Sequence, residues 1–303
     1  MTAQVIMDGL VTGSMIGLGA IGVTLTYSIL RFANFAHGEF ISWGAYFALA
    51  VVGLLGGLSG ALLAPIGPFS FGWALPIGTV AAVLLAGALA LVVDALLFGR
   101  LRANRSTVII MVMASFGAAL SLRSLLEFIF TSKPVYYTKA LQIALPLGGG
   151  IRATPDQLLS LAVSAVLVLA VHMLLTRTAI GRSMRAVSEN PALAGVVGVE
   201  VRKVIRTVWL LGAGLAAIAG VSAGVLVQIR PQMGLDLLLP LFASAILGGI
   251  GSVPGAMLAG LIVGLAEAIA VQAIGAEWRA AVAFAILVLV LLVRPQGLFG
   301  RAE

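Results

Sequence analysis

Apolar runs of about 20 residues, long enough as helices to cross a hydrocarbon core of about 30 Å, recur along this sequence from one end to the other. They lie at roughly 5–29, 39–58, 73–98, 107–130, 157–176, 204–228, 254–273 and 278–293. A ninth stretch, 237–250, is shorter. It runs into Leu247-Gly248-Gly249-Ile250-Gly251-Ser252-Val253-Pro254, which cannot stay helical unaided, so it reads as a broken or tilted crossing. Only 10% of the 303 residues are charged and 61% are hydrophobic, too little polar surface to face water on all sides. The sequence therefore predicts an all-α polytopic membrane protein of eight or nine transmembrane helices, one membrane domain over 1–303, with no separate soluble domain. Met1–Leu10 holds no Lys or Arg, so no cleavable signal peptide is expected.

The net charge of +7 is not the signature of a nucleic-acid partner, because the basic residues lie between apolar runs. That placement writes membrane orientation instead. If the runs alternate direction, twelve basic residues share one side: Arg31, Arg100, Arg102, Arg105, Arg177, Arg182, Arg185, Arg202, Lys203, Arg206, Arg294 and Arg301. Five share the other: Lys133, Lys139, Arg152, Arg230 and Arg279. The richer side is expected to be cytoplasmic, with the C-terminus there and nine crossings placing the N-terminus outside. Eight crossings with both ends inside is the alternative. Trp43, Trp73 and Trp278 lie near run ends, where an aromatic belt would put them.

Two connections are long. An external loop at about 131–155 carries Gly148-Gly149-Gly150, and a basic cytoplasmic loop spans about 177–203. In the second, Asn190 suits a helix cap and Pro191 a first turn, opening a short apolar helix with Leu193, Val196 and Val197 on one face. Such a helix held outside the membrane needs a docking partner or the membrane surface to cover it. Arg185 and Glu189 would flank it.

Chemistry-bearing motifs are scarce. There is no Cys and no Gly-Lys-Ser/Thr, so neither thiolate chemistry nor a P-loop is available. His37 and His172 are the two histidines and form no metal-ligand pattern. Hence no catalytic residue, metal site or cofactor is expected in this chain. Two segments stand out as candidate parts of a translocation route. Asn34, His37, Gly38 and Glu39 form a polar break between the first two runs, or else an ordinary turn with Glu39 at a helix start. Gly248, Gly249, Gly251 and Ser252 form a Gly-rich break that either lines a cavity or makes a tight turn. These two segments are expected to approach one another. The runs at 5–29 and 204–228 are both Gly-rich, run in opposite directions and lead into irregular segments, which makes an inverted repeat a candidate. Gly9, Gly13 and Gly17, Gly220 with Gly224, and Gly260 with Gly264 recur every four residues and read as helix-packing faces. Of the charges inside runs (Asp94, Arg123, Glu127 and Glu267), Arg123 and Glu127 are four apart and suited to pair.

Several separated segments resemble one family. They are Tyr27-Ser28-Ile29-Leu30 with Asn34–Glu39; Gly181-Arg182-Ser183-Met184-Arg185-Ala186-Val187-Ser188-Glu189-Asn190-Pro191; Leu247–Ala256; and Arg294-Pro295-Gln296-Gly297-Leu298-Phe299-Gly300. In order and spacing the chain resembles the LivH-type permease of branched-chain amino-acid ABC importers. Glu189 and Gly198 match the usual ATPase-docking pattern of ABC permeases only loosely. The resemblance implies a second, LivM-like permease, two cytoplasmic ATPase subunits that use ATP and Mg, an external substrate-binding protein, and a place in the bacterial inner membrane. Relatives for urea or short amides keep that substrate class as an alternative. A self-sufficient ion-coupled transporter is a further alternative, for which the scattered acids assemble no coupling site.

Overall fold

The computed structural model describes residues 3–138, 140, 142–294 and 296–300. Lys139 and Arg301 of the charge count, and Pro295 of the last motif, lie outside the described residues. The chain is all-α, as expected. Its helices are α1 (Ala3–Leu30), α2 (His37–Leu58), α3 (Ala74–Val93), α4 (Gly99–Ala103), α5 (Val108–Phe130), α6 (Pro155–Arg177), α7 (Ala179–Glu189), α8 (Pro191–Val196), α9 (Val201–Leu226), α10 (Met233–Gly248), α11 (Val253–Ile274) and α12 (Arg279–Val293). α3 runs into α4 through a π-turn at Asp94–Phe98, so one continuous rod spans Ala74–Ala103. Among the described residues, eight helices are long and apolar enough to cross a bilayer, and α10 adds a shorter ninth. The loop between α5 and α6 holds a small hairpin, β1 (Leu145–Gly148) and β2 (Ile151–Ala153), turning on Gly149 and Gly150 at φ +60° and +80°.

Two faces can be followed through the contacts. On the face rich in arginine, the Arg31 guanidinium donates to the Ser188 carbonyl. There Phe32 meets Phe98 at 5.1 Å and Phe98 stacks on Trp209 at 5.4 Å. On the opposite face, the Arg152 N–H donates to Gln4 Oε1 at 2.9 Å and Gln142 donates to Pro68 O at 2.9 Å. The start of α1 thus lies with the hairpin, while Leu298 N–H reaches Leu247 O at 2.7 Å on the basic side. That parity corresponds to nine passages rather than eight.

The glycine faces are packing faces. A Cβ on Gly13 would lie 2.7 Å from Leu261 Cα, and Gly260 and Gly264 lie directly against Gly17 and Gly13. α1 and α11 therefore run antiparallel with backbones in contact, the arrangement that small residues permit in lipid. Gly220 meets the Ile41 carbonyl of α2 in the same manner.

An inverted repeat organises the core. α1 packs on α11 as α9 packs on α3; α2 packs on α9 as α10 packs on α1; α2 lies beside α3 as α10 lies beside α11. Exchanging α1, α2, α3 with α9, α10, α11 leaves this pattern unchanged. The break of the second half falls at Val227–Gln232, before α10, rather than in the 237–254 region expected from the sequence. Pro240 sits inside α10 without interrupting it.

Two sequence expectations are corrected. Trp43 is not a belt residue: it is buried and donates to Leu122 O at 3.1 Å, because α2 begins deep in the bilayer. Trp73 and Trp278 are more than half exposed near helix ends, as an aromatic belt requires. Arg123 pairs with Glu39 at 2.9 Å and not with Glu127. A same-helix pairing would leave Glu39 as an uncompensated buried acid.

Candidate functional site

The central feature is a junction where two helices start near the bilayer midplane. α1 reaches the basic face at Leu30. The chain then doubles back through Arg31–Ala36, and α2 begins at His37. His37 Nε2 lies 3.2 Å from Gly19 O. At 1.5 Å per residue, Gly19 is about 24 Å from the start of α1 and about 16 Å from its end. The leg between the helices is held by one of its own polar groups and by one from α5: Ala36 N–H donates to Asn34 Oδ1 at 3.1 Å, and Phe35 N–H to Ser115 Oγ at 3.1 Å. Non-helical backbone at such depth is tolerated because protein surrounds it.

The second half repeats the construction from the other side. α9 ends at Leu226, the chain dips through Val227–Gln232, and α10 begins at Met233. Ile229 and Val135 exchange backbone hydrogen bonds of 2.8 and 2.9 Å, which pins the dip. Tyr137, in the same α5–α6 connection as Val135, donates to Ala45 O at 2.8 Å, and burial pushes its phenol pKa upward so that it stays a donor. Gly234 then meets Gly38 backbone to backbone. Ser42 Oγ donates to Pro231 O at 3.0 Å and accepts from Gly234 N–H at 2.9 Å, tying the two helix starts together.

Each helix start carries a glycine and then an acid paired with an arginine. Glu39 is 1% exposed and accepts from Arg123 Nη2 at 2.9 Å. Asp236 pairs with Arg230 at 3.0 Å, but both side chains are 48% exposed. Both acids sit in the first turn of their helix, where the macrodipole favours them. Asn34 Nδ2, His37 Nδ1 and Glu39 Oε2 are buried without a hydrogen-bond partner among the described residues.

Of the residues singled out by sequence, Asn34, His37, Gly38 and Glu39 thus converge on the midplane junction. Gly248, Gly249, Gly251 and Ser252 do not join them. They form the α10–α11 turn, with Gly249 and Gly251 at φ +91° and +88° and Ser252 capping α11 through Gly255 N–H at 3.1 Å. Gly251 N–H donates to Thr24 Oγ1 at 2.7 Å. Thr24 lies about 9 Å in from the end of α1. The free carbonyls at the end of α10 are met by the C-terminal segment, Leu298 N–H on Leu247 O at 2.7 Å and Phe299 N–H on Gly248 O at 3.3 Å. Leu238 and Phe242 of α10 are what Asn34–Glu39 meets in place of the turn.

The basic loop folds as expected. Asn190 Oδ1 caps α8 by accepting from Leu193 N–H at 3.0 Å, and Pro191 occupies the first turn. Leu193, Val196 and Val197 are 61, 84 and 70% exposed. Glu189 is exposed, and Arg185 folds back to donate to the Leu175 carbonyl of α6. Sequence reasoning missed Ser42, Thr24, Pro231 and Gly234. The signal for the last two was present: Arg230-Pro231-Gln232-Met233-Gly234-Leu235-Asp236 interrupts apolar sequence much as Arg31–Glu39 does.

Comparison with known proteins meets this geometry. The family model described as branched-chain amino acid transport system / permease component matches residues 5–291. The high-affinity branched-chain amino acid transport system permease protein BraD of Pseudomonas aeruginosa is 31% identical, covering 99% of this chain and 96% of its own. The corresponding permease protein LivH of Escherichia coli is also 31% identical, over 99% of this chain and 96% of its own. Among solved structures, PsaBC from Streptococcus pneumoniae in complex with Fab superposes with a TM-score of 0.50 at 13% identity, covering 95% of this chain and 91% of that one, a likeness of fold. The match over residues 5–291, with relatives 31% identical along nearly the whole chain, places this chain in the family of permease components of branched-chain amino acid transport systems.

Proposed function

We propose that the chain is the membrane-spanning subunit of an ABC importer that carries branched-chain aliphatic amino acids across the bacterial inner membrane. The match to the branched-chain permease family over residues 5–291 carries this reading. The arginine-rich face is cytoplasmic by the positive-inside rule, so the segment after α12 is cytoplasmic as well. A second, LivM-like permease completes the pathway and lipid covers the remaining apolar surface. An external binding protein delivers substrate to the hairpin face. Two ATPase subunits, which use ATP and Mg, dock on the basic face.

The capped helix α8 is the coupling element. Leu193, Val196 and Val197 fill a groove on the ATPase, with Glu189 and Arg185 at the rim. A short apolar face so exposed on the basic side favours a protein partner. Asn34, His37, Gly38 and Glu39 shape the route at the midplane, and Gly248, Gly249, Gly251 and Ser252 shape its basic end. The test is co-expression of the chain with its genomic neighbours, purification through a tag on this subunit, and uptake by proteoliposomes. ATPases and binding protein should associate, and leucine, isoleucine and valine should be imported with ATP hydrolysis. Uptake without ATPases, driven by an ion gradient, would sink the proposal.

A further inference from the structure

The inverted repeat builds one helix start twice, yet treats its two ion pairs differently. Glu39–Arg123 is sealed: the acid is 1% exposed and the arginine side chain 15%. Arg230–Asp236 is open, at 48% on both sides. The open pair is not at the membrane surface. Gly234, two residues before Asp236, touches Gly38, next to the His37 that reaches Gly19 O. Charged side chains at that depth face a protein interior or a water-filled space rather than lipid tails.

A cavity lies beside this pair. It measures about 270 Å³ and is lined by Glu127 of α5, by Ser132 and Pro134 after it, and by Gln228, Arg230 and Gln232 of the dip. Its walls therefore bring an acid from α5 and a guanidinium from the dip to one space. Asp236 stands 3.0 Å from that guanidinium. The dip itself is fixed by the Val135–Ile229 bridge and by Tyr136 OH on Gln228 Oε1 at 3.2 Å. Arg230 is thus held by backbone that does not need its side chain.

From the open pair and the charged cavity beside it we infer that Arg230, with Asp236 and Glu127, forms a way station for a zwitterion between the outer mouth and the midplane. The Arg230 guanidinium receives the α-carboxylate in a forked hydrogen bond. Asp236 and Glu127 receive the α-ammonium. Asp236 pairs with Arg230, so this pair is the substrate's own charge pattern closed on itself. An arriving zwitterion exchanges one ion pair for two, without burying an uncompensated charge. The aliphatic side chain plays no part in this contact, which leaves discrimination to other surfaces.

The inference rests on the amino-acid reading above. The experiment uses the complete transporter in proteoliposomes, with L-leucine as the probe and uptake and ATP hydrolysis measured together. Arg230→Gln and Asp236→Asn should each lower leucine uptake about tenfold or more while ATP hydrolysis stays within about twofold of wild type, a loss of transfer and not of coupling. Arg230→Lys should recover part of the uptake lost in Arg230→Gln, because the charge survives but the fork does not. The thermal midpoint should not move in any variant, since an exposed pair contributes little stability. Wild-type uptake in Arg230→Gln and Asp236→Asn would overturn the way station and leave the substrate reading intact. Equal loss of uptake and ATP hydrolysis would overturn it in favour of a coupling or assembly role. Import of an uncharged amide in place of leucine by the wild type would overturn both readings.

Discussion

Gly38 and Gly234 meet backbone against backbone at the starts of two helices, so closely that a methyl group on either would overlap the other's carbonyl oxygen. Each carbonyl belongs to a first helical turn and cannot retreat without unwinding it. Gly38→Ala and Gly234→Ala should therefore each cost about 1–3 kcal/mol, the usual range for overpacking a filled interior. Gly53, on the same helix α2, has nothing within 4 Å of the place its Cβ would take. Gly53→Ala should instead gain about 0.5–1 kcal/mol from helix propensity. Thermal unfolding of the three variants in one detergent separates contact from propensity. A Gly234→Ala protein as stable as wild type would mean the helix starts do not touch.

The sealed ion pair makes a second prediction. Arg123→Leu leaves Glu39 buried beside no cation, and removing one member of a buried pair costs about 3–5 kcal/mol. The double variant Glu39→Leu with Arg123→Leu should recover most of that loss, because no charge is left to desolvate. A thermal double-mutant cycle reads the coupling. Additive losses would show that the two side chains act independently.

How much of this was legible in the sequence follows from what each signal encodes. Spans were readable because lipid demands a continuous apolar run, and their ends fall within a few residues of the helices. The cap at Asn190 and Pro191 was readable because it is local. Partners across the fold were not. Arg123 has Glu127 four residues away in sequence, yet it turns to Glu39, whose burial comes only from the midplane start of α2. Trp43 looked interfacial because the run was assumed to begin at the membrane surface. The break at Val227–Gln232 was masked by apolar neighbours, and the glycines of Gly248–Gly251 drew attention away from it. Glycine marks positive φ as readily as it marks a pathway, and Gly249 lies at φ +91°.

That turn supplies the third prediction. Gly249 lies at φ +91° and its Cβ would fall 2.5 Å from Gly300 N, whereas Gly251, at φ +88°, has open space up to Ser28 Cβ at 3.8 Å. Gly251→Ala should show backbone strain alone, about 1–2 kcal/mol. Gly249→Leu should add displacement of the Leu298–Gly300 segment that meets the α10 carbonyls. Uptake should fall in Gly249→Leu with the complex still assembled, and fall less in Gly251→Ala. Normal uptake in a well-expressed Gly249→Leu would make the turn a passive connection.

Orientation can be tested cleanly because the sequence has no cysteine. Glu189 is exposed on the basic face and Gly149 at the tip of the hairpin on the other. In right-side-out vesicles, an impermeant maleimide should label Gly149→Cys and leave Glu189→Cys unlabelled until the membrane is opened. The reverse pattern would invert the topology, and labelling of both from one side would remove the parity that gives nine passages.

The helix α8, proposed above as the coupling element, gives the last prediction. Leu193 is 61% exposed beside Val196 at 84% and Val197 at 70%, while Ala194 of the same helix is buried against the chain. The helix is therefore anchored from below and presents its larger apolar side chains outward. Truncating or charging an anchor at an interface centre costs about 2 kcal/mol or more, whereas rim charges are worth less. Leu193→Asp should release the ATPases or uncouple them, and Glu189→Gln should do neither. The variant itself should fold, because Leu193 is exposed and the cap rests on its backbone N–H and not on its side chain. The proposed binding protein, which would meet the hairpin face, should dock in both. Co-purification of the ATPases and substrate-stimulated ATP hydrolysis decide the matter. If Leu193→Asp keeps both at wild-type levels, α8 rests on the membrane surface and the ATPases hold the permease elsewhere.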